Sequence, residues 1–149
     1  MKRDVVEFPV PKDFLEALLA ISTGYDPVVI LNSNRNEQLS ADRYTSYDLL
    51  AALGSISTLE NSNTCFQSLH SFLKEKTDWT FGFFTYDLKN EIEKLESANT
   101  DNNQFQDFHF FQPRYVLAVP AGEEKLFIYY HPSHDTKSTT TEFFNNLPA

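Results

Sequence analysis

The run Trp79-Thr80-Phe81-Gly82-Phe83-Phe84-Thr85-Tyr86 carries apolar or aromatic side chains at both alternating positions. A strand of that pattern buries its surface only if both faces are covered, so the run predicts a central strand packed on two sides. Gly82 in its middle marks a close approach by another chain segment or a ligand. Relief in a crowded aromatic core explains it equally well. The run belongs to a heavy aromatic load of 14 Phe, 7 Tyr and one Trp.

Apolar residues make up 41% of the 149 and charged residues 22%, the balance of a folded domain with room for a single core. Twelve Lys and Arg against 21 Asp and Glu give a net charge of -9. That leaves no cationic excess to neutralise a nucleic-acid backbone. The single cysteine, Cys65, excludes an internal disulfide and any cysteine-based metal cluster. No apolar stretch approaches the ~20 residues of a membrane span, and Met1-Lys2-Arg3-Asp4 leads into no signal-peptide core. The expectation is a cytoplasmic chain with neither a nucleic-acid nor a membrane partner.

Shorter patterns divide the rest. Val5–Val10 reads as a strand closed by Pro9 and Pro11, and Phe14, Leu15, Leu18 and Leu19 give a helix from Pro11 to about Ile21. Val28–Leu31 is a buried strand, Asn32–Arg43 a polar loop, and Tyr47–Leu53 a strand ended by Gly54. Asn61 to Thr64 offer caps for a helix with Phe66, Leu69, Phe72 and Leu73 as its stripe. Leu88, Ile92 and Leu95 put an apolar edge on a further, charged helix, and Ala98–Gln106 is loop. Phe108–Phe111, Tyr115–Val119 and Leu126–Tyr130 read as strands, with Pro113 breaking the first pair and Ala121-Gly122 turning between the last two. The fold class is α+β, a mostly antiparallel sheet with a few short flanking helices. Residues 1–130 form the domain, and the Ser/Thr-rich residues 131–149 a linker or tail without core periodicity.

No self-contained catalytic constellation emerges. His131 and His134 could reach one ion, but no acidic or thiolate ligand sits at a recognisable spacing. Cys65 has no signature of a positioned base and reads as a buried structural thiol. Ser33 lacks the glycine-flanked turn of a nucleophile elbow. Four glycines, never two within six residues, build no phosphate-cradling loop. Asp87, Glu91, Glu93 and Glu96 read as a solvated helix face.

Two stretches are more specific than their chemistry. Trp79 to Glu93, with Phe81-Gly82-Phe83-Phe84-Thr85-Tyr86-Asp87-Leu88-Lys89-Asn90-Glu91 at its centre, resembles the glycine–aromatic–x–Tyr-Asp-Leu strand and acidic helix of the N-terminal region of aminodeoxychorismate synthase component I. Val29-Ile30-Leu31-Asn32-Ser33, followed by Tyr44-Thr45-Ser46-Tyr47-Asp48, is similar to the strand, serine and aromatic turn that form a small amino-acid pocket across these chorismate-utilising enzymes, anthranilate synthase component I included. Phe108 to Val119, with Arg114 after the proline, also fits the family's next strand pair. The similarity extends from about Val5 to Tyr130.

The resemblance implies the N-terminal part of the chorismate-utilising enzyme fold, with the amino-acid pocket built from Leu31, Ser33, Tyr44, Thr45 and Tyr47 and tryptophan as its ligand. Such a pocket needs polar anchors and an aromatic or apolar wall, and these residue types supply both. The family's chorismate and magnesium sites lie in a C-terminal region marked by Pro-Ile-Lys-Gly-Thr and Gly-Asp-x-Tyr-Gln-x-Asn segments. Neither segment occurs here, so the resemblance assigns this chain no catalytic residue and no metal ligand. It implies a non-catalytic region ending in a linker. The intact enzyme would bind Mg2+ in the absent domain, work with a glutamine amidotransferase subunit, and aminate chorismate to 4-amino-4-deoxychorismate for para-aminobenzoate and folate synthesis. The alternatives are the equivalent region of an anthranilate or isochorismate synthase, or a stand-alone module for binding a tryptophan-like amino acid or for interaction with a partner.

Overall fold

Two strands run well past the apolar segments that announce them, and they set the frame. The computed structural model of the chain describes residues 2–34, 45–60, 64–89, 91 and 106–148. The order is β1 (Asp4–Pro9), α1 (Phe14–Ser22), β2 (Val28–Asn32), β3 (Tyr47–Glu60), α2 (Cys65–Lys76), β4 (Phe81–Phe84), a 3-10 turn (Tyr86–Leu88), β5 (Phe108–Pro120), β6 (Lys125–Tyr130) and α3 (Lys137–Asn145). The six strands form a mostly antiparallel sheet in the order β1-β6-β5-β3-β2, with β4 paired to β5. The α+β class read from the sequence is the class observed.

Gly54 does not end β3. It adopts φ 63, a left-handed conformation that costs glycine little, and its N–H donates to the Pro27 carbonyl at 2.9 Å. The strand continues to Glu60. Pro113 does not break β5 either. Phe108–Phe111 pair with β4 and Tyr115–Ala118 with β6, so the missing N–H falls between the two ladders. The carbonyls at that point are met from elsewhere: the buried Arg3 guanidinium donates to the Pro113 and Arg114 oxygens. Pro9, in turn, is tolerated because β1 stands at the end of the strand order.

The chain divides into two compact units. In Lys2–Ser55 with Pro113–Ala149, alternate residues of three strands meet two helices. Leu49, Ala51 and Leu53 of β3, Tyr115, Leu117 and Val119 of β5, and Leu126, Ile128 and Tyr130 of β6 pack with Phe14, Leu18 and Phe143. Helix α1 starts three residues later than the proline suggests, at Phe14, and buries Phe14, Ala17 and Leu18 while Leu19 is exposed. Residues 131–149, expected to be a linker or tail, instead contain α3. A capping box of Thr136 and Thr139 starts this helix, and Thr140, Phe143, Phe144 and Leu147 turn toward the core at helical spacing. Phe144 stacks on Phe8 at 3.9 Å, and Phe143 on Tyr115 at 4.7 Å.

In Ile56–Gln112, Cys65, Leu88 and Phe108 form a small buried cluster with Leu59, Leu69 and Phe110 against it. Helix α2 buries Cys65 and Phe72, whereas Phe66 and Leu73 of the expected stripe are exposed. The expectation of a central strand at Trp79–Tyr86 is corrected. Among the described residues β4 pairs with β5 alone, and Phe84 and Tyr86 are 58% and 82% exposed. The aromatic rings find cover across the ladder instead: Phe83 stacks on His109 opposite it, and Phe84 lies against Phe110. Gly82 faces another segment of the chain, since a Cβ there would collide with the His109 carbonyl oxygen and lie 2.6 Å from the Phe110 ring. Of the charged helix expected next, Leu88 is buried in the 3-10 turn, while Ile92 and Leu95 lie outside the described residues.

Candidate functional site

Strand pairing brings two of the quoted segments together. β2 and β3 run antiparallel with Leu31 opposite Leu50 and Asn32 opposite Leu49. The ladder goes on one residue past β2, where the Ser33 N–H donates to the Asp48 carbonyl at 3.0 Å. The two-residue period then places Leu31 and Ser33 on one face with Leu50 and Asp48. Leu31 is 54% exposed and Ser33 is exposed, so both are available to a ligand. Asn34 turns the chain away with φ 50, its N–H donating to the Asn32 side chain.

Tyr47 opens β3 and is half-buried, as is Thr45. Burial, and after it the nearby Tyr47, push the Tyr129 phenol above its ordinary pKa. Tyr129 alternates with the core residues Ile128 and Tyr130, which turns it to the sheet face opposite that core. Tyr44 lies outside the described residues. Of the five expected pocket residues, Leu31 and Ser33 share one sheet face at the end of β2, whereas Thr45 and Tyr47 lie at the start of β3, where Tyr47 keeps step with the core residues Leu49, Ala51 and Leu53.

Two further residues join them that residue-type reasoning passed over. The Asp48 carboxylate accepts from the Gly122 N–H at 2.8 Å, and the Ser46 carbonyl accepts from the Ala121 N–H at 3.1 Å. Residues 45–48 are thus held between β2 and the β5–β6 turn. That turn closes with the Glu123 N–H on the Pro120 carbonyl, and Gly122 at its third position has φ 76, as a type II turn requires. One signal was present: a carboxylate inside the Tyr47–Leu53 apolar run must find a donor, because a half-buried charge without one is costly. Tyr129 carried no comparable signal.

A second polar cluster lies in the same unit. The Asp135 side chain, 1% exposed, accepts from Arg114 Nε and Nη2 at 2.9 Å each, from the Tyr115 hydroxyl at 2.6 Å and from Thr139 Oγ1 at 3.2 Å. Burial pushes the Asp135 carboxyl up, but hydrogen bonds from Arg114 and Tyr115 and the Arg114 charge outweigh it and hold it below its usual range. Burial and the bond to Asp135 raise the Tyr115 phenol. A carboxylate so fully engaged has no lone pair to offer a substrate, and its partners join β5 to α3. The cluster is structural.

The Tyr-Asp-Leu segment has a local role as well. Thr64 makes no side-chain capping bond at the start of α2; the Glu91 carboxylate instead accepts from the Cys65 and Phe66 N–H groups at 3.0 and 3.2 Å. Beside it Phe66, Phe84, Tyr86 and Leu88 line an apolar groove of about 380 Å³, with Lys89 over the Tyr86 ring. The His131 and His134 rings lie 5.4 Å apart, with His131 Nδ1 taken up by the Ser133 N–H. Among the described residues no three His, Cys, Asp or Glu side chains converge on a point that could hold a metal, and no helix is long and apolar enough to cross a membrane. The chain matches no protein-family model and no curated protein.

Proposed function

We propose that this chain is the N-terminal, non-catalytic region of a chorismate-utilising enzyme of the aminodeoxychorismate synthase type, with an amino-acid pocket where β2 ends and β3 begins. One observation carries the reading. The Ser33-to-Asp48 backbone bond sets the serine segment beside the aromatic segment, and these are the two stretches whose likeness to the family pocket is most local. Exposed Leu31 and Ser33 would meet the side chain and a charged end of the ligand, and tryptophan is the amino acid the likeness suggests. The exposed Phe84 and Tyr86 leave aromatic surface for a further region or partner to cover, as a partial enzyme would require.

In the intact enzyme Mg2+ would polarise the chorismate carboxylate from the missing region, and no described group of this chain fits that role. What these residues would do is bind and orient an amino acid away from the chemistry. The test is reconstitution. The chain alone, given chorismate, magnesium and ammonia, should form no aminodeoxychorismate. Mixed with a separately expressed chorismate-binding region of the family, it should restore turnover, and the complex should bind tryptophan about fivefold more weakly after Ser33→Ala, the loss of one hydrogen bond of about 1 kcal/mol. Turnover by the chain alone, or no gain on mixing, would sink the reading. Tight tryptophan binding by the isolated chain would instead indicate the stand-alone module.

A further inference from the structure

The strand order has two ends, and they differ in how they meet solvent. At one, β1 carries Asp4 and Glu7, the latter paired with Lys125 at 2.9 Å, and finishes in Pro9. Charge and proline are what keep an edge strand from recruiting another chain. At the other, β2 reads Val28-Val29-Ile30-Leu31-Asn32, with no charge and no proline, and Leu31 is 54% exposed. The β2–β3 ladder is regular, and at its limits the Gly54 N–H donates to the Pro27 carbonyl and the Ser33 N–H to the Asp48 carbonyl. Hydrogen-bonded pairs alternate along an antiparallel ladder, so Val29 and Leu31 also bond toward β3. The N–H and C=O groups of Val28, Ile30 and Asn32 therefore point out of the sheet edge, where no strand among the described residues meets them.

We propose that this edge is the docking surface for a second copy of the chain, which pairs β2 with β2 antiparallel about a two-fold axis at Ile30. The edge is complementary to itself. With Ile30 opposite Ile30, Val28 falls opposite Asn32, and every outward-facing residue of one copy meets an outward-facing residue of the other, each pair exchanging two backbone bonds. A slip of one residue would set outward groups against inward ones. The side chains agree with the same register. On the face away from the core, Val29 meets Leu31 of the second copy, so the exposed leucine gains an apolar neighbour. Charge allows it as well: although the chain carries -9, Asp26 falls opposite Asn34, so no two carboxylates are opposed. A charged partner segment would find no counter-charge in β2, which favours an identical strand. The inference goes beyond the pocket reading and does not need it, because it uses the backbone of Val28, Ile30 and Asn32, and Ser33 lies past the paired residues.

Sedimentation and amide exchange of the full chain, followed from micromolar to millimolar concentration, test the pairing residue by residue. Sedimentation should show a monomer–dimer equilibrium. At the dimer end the Val28, Ile30 and Asn32 amides should exchange about tenfold more slowly, whereas Val29 and Leu31, already bonded to β3, keep their monomer rates. Leu31→Lys should raise the Kd of the dimer about tenfold, and adding Val29→Glu should recover most of that loss, because the two new charges meet across the axis. A chain that stays monomeric overturns the proposal, and the edge then belongs to another partner. A dimer with unslowed Val28, Ile30 and Asn32 amides overturns it too, since the contact then lies elsewhere. A folded double variant no better than Leu31→Lys overturns the register. The wild-type exchange pattern needs no variant, so it decides the matter even if a substitution in β2 unfolds the sheet.

Discussion

Single atoms decide several features of this molecule. Thr140 is fully buried on α3, and its Oγ1 has no hydrogen-bond partner among the described residues. A hydroxyl in that setting carries a desolvation penalty with nothing to offset it. Thr140→Val keeps the shape and removes the polar atom, so it should stabilise the protein by about 1 kcal/mol in urea unfolding. A destabilised valine variant would mean that the hydroxyl is satisfied in solution. Gly82 shows the opposite situation, in which the absent Cβ is the requirement, and its strand-interior position was the visible sign of it. Asp48 lies between these cases: it stood inside a quoted segment, yet its acceptor role depends on Gly122, which no spacing rule connects to it.

At the level of elements, the apolar runs were good guides to where strands exist and poor guides to where they stop. A glycine and a proline are read as punctuation because each usually interrupts a ladder, but β3 runs through Gly54 with its positive φ and β5 through Pro113, which lies between its pairings with β4 and β6. Helix α3 was hidden for a compositional reason. Its threonines favour turns and strands, and the 140, 143, 144, 147 stripe is legible only once Thr136 is taken as a cap. The anchor of this helix is titratable. Asp135 has its folded pKa below the unfolded value of about 3.9, so its contribution is complete above that value and disappears as pH falls through the folded one. Asp135→Asn should cost about 2–3 kcal/mol at neutral pH through the uncompensated Arg114 and Tyr115 groups. The difference between wild type and variant should shrink below about pH 4. Acid titration of unfolding free energy checks both, and a difference that is constant down to pH 2 would contradict the assignment.

For the whole molecule, the aromatic load has a different meaning from the one its sequence pattern suggests. The run at Trp79–Tyr86 looked like the centre of a two-sided sheet, and its rings instead stack across a strand pair in which, among the described residues, β4 has β5 as its one partner. Residue pattern cannot separate those outcomes, since cross-strand stacking and true burial ask for the same side chains. Of the candidate site, the segments around Ser33 and Asp48 stood out in the sequence, but their register did not. The Gly122 donor to Asp48 comes from a turn that only the completed sheet brings close.

The Arg3 guanidinium bears on how the chain reaches that sheet. It satisfies carbonyls 110 and 111 residues away, so the middle of β5 is complete only after the first strand has returned to the last. Contacts of that sequence separation are closed late, because their loop entropy is repaid only when the rest is in place. Arg3→Ala should therefore speed unfolding about tenfold and leave the refolding rate nearly unchanged in stopped-flow measurements, as expected of an interaction absent from the transition state. A refolding rate that fell in proportion would put Arg3 in the nucleus. With the refolding rate unchanged, the first residues act as a clasp, setting how long the native sheet lasts once formed and having little influence on how quickly it forms.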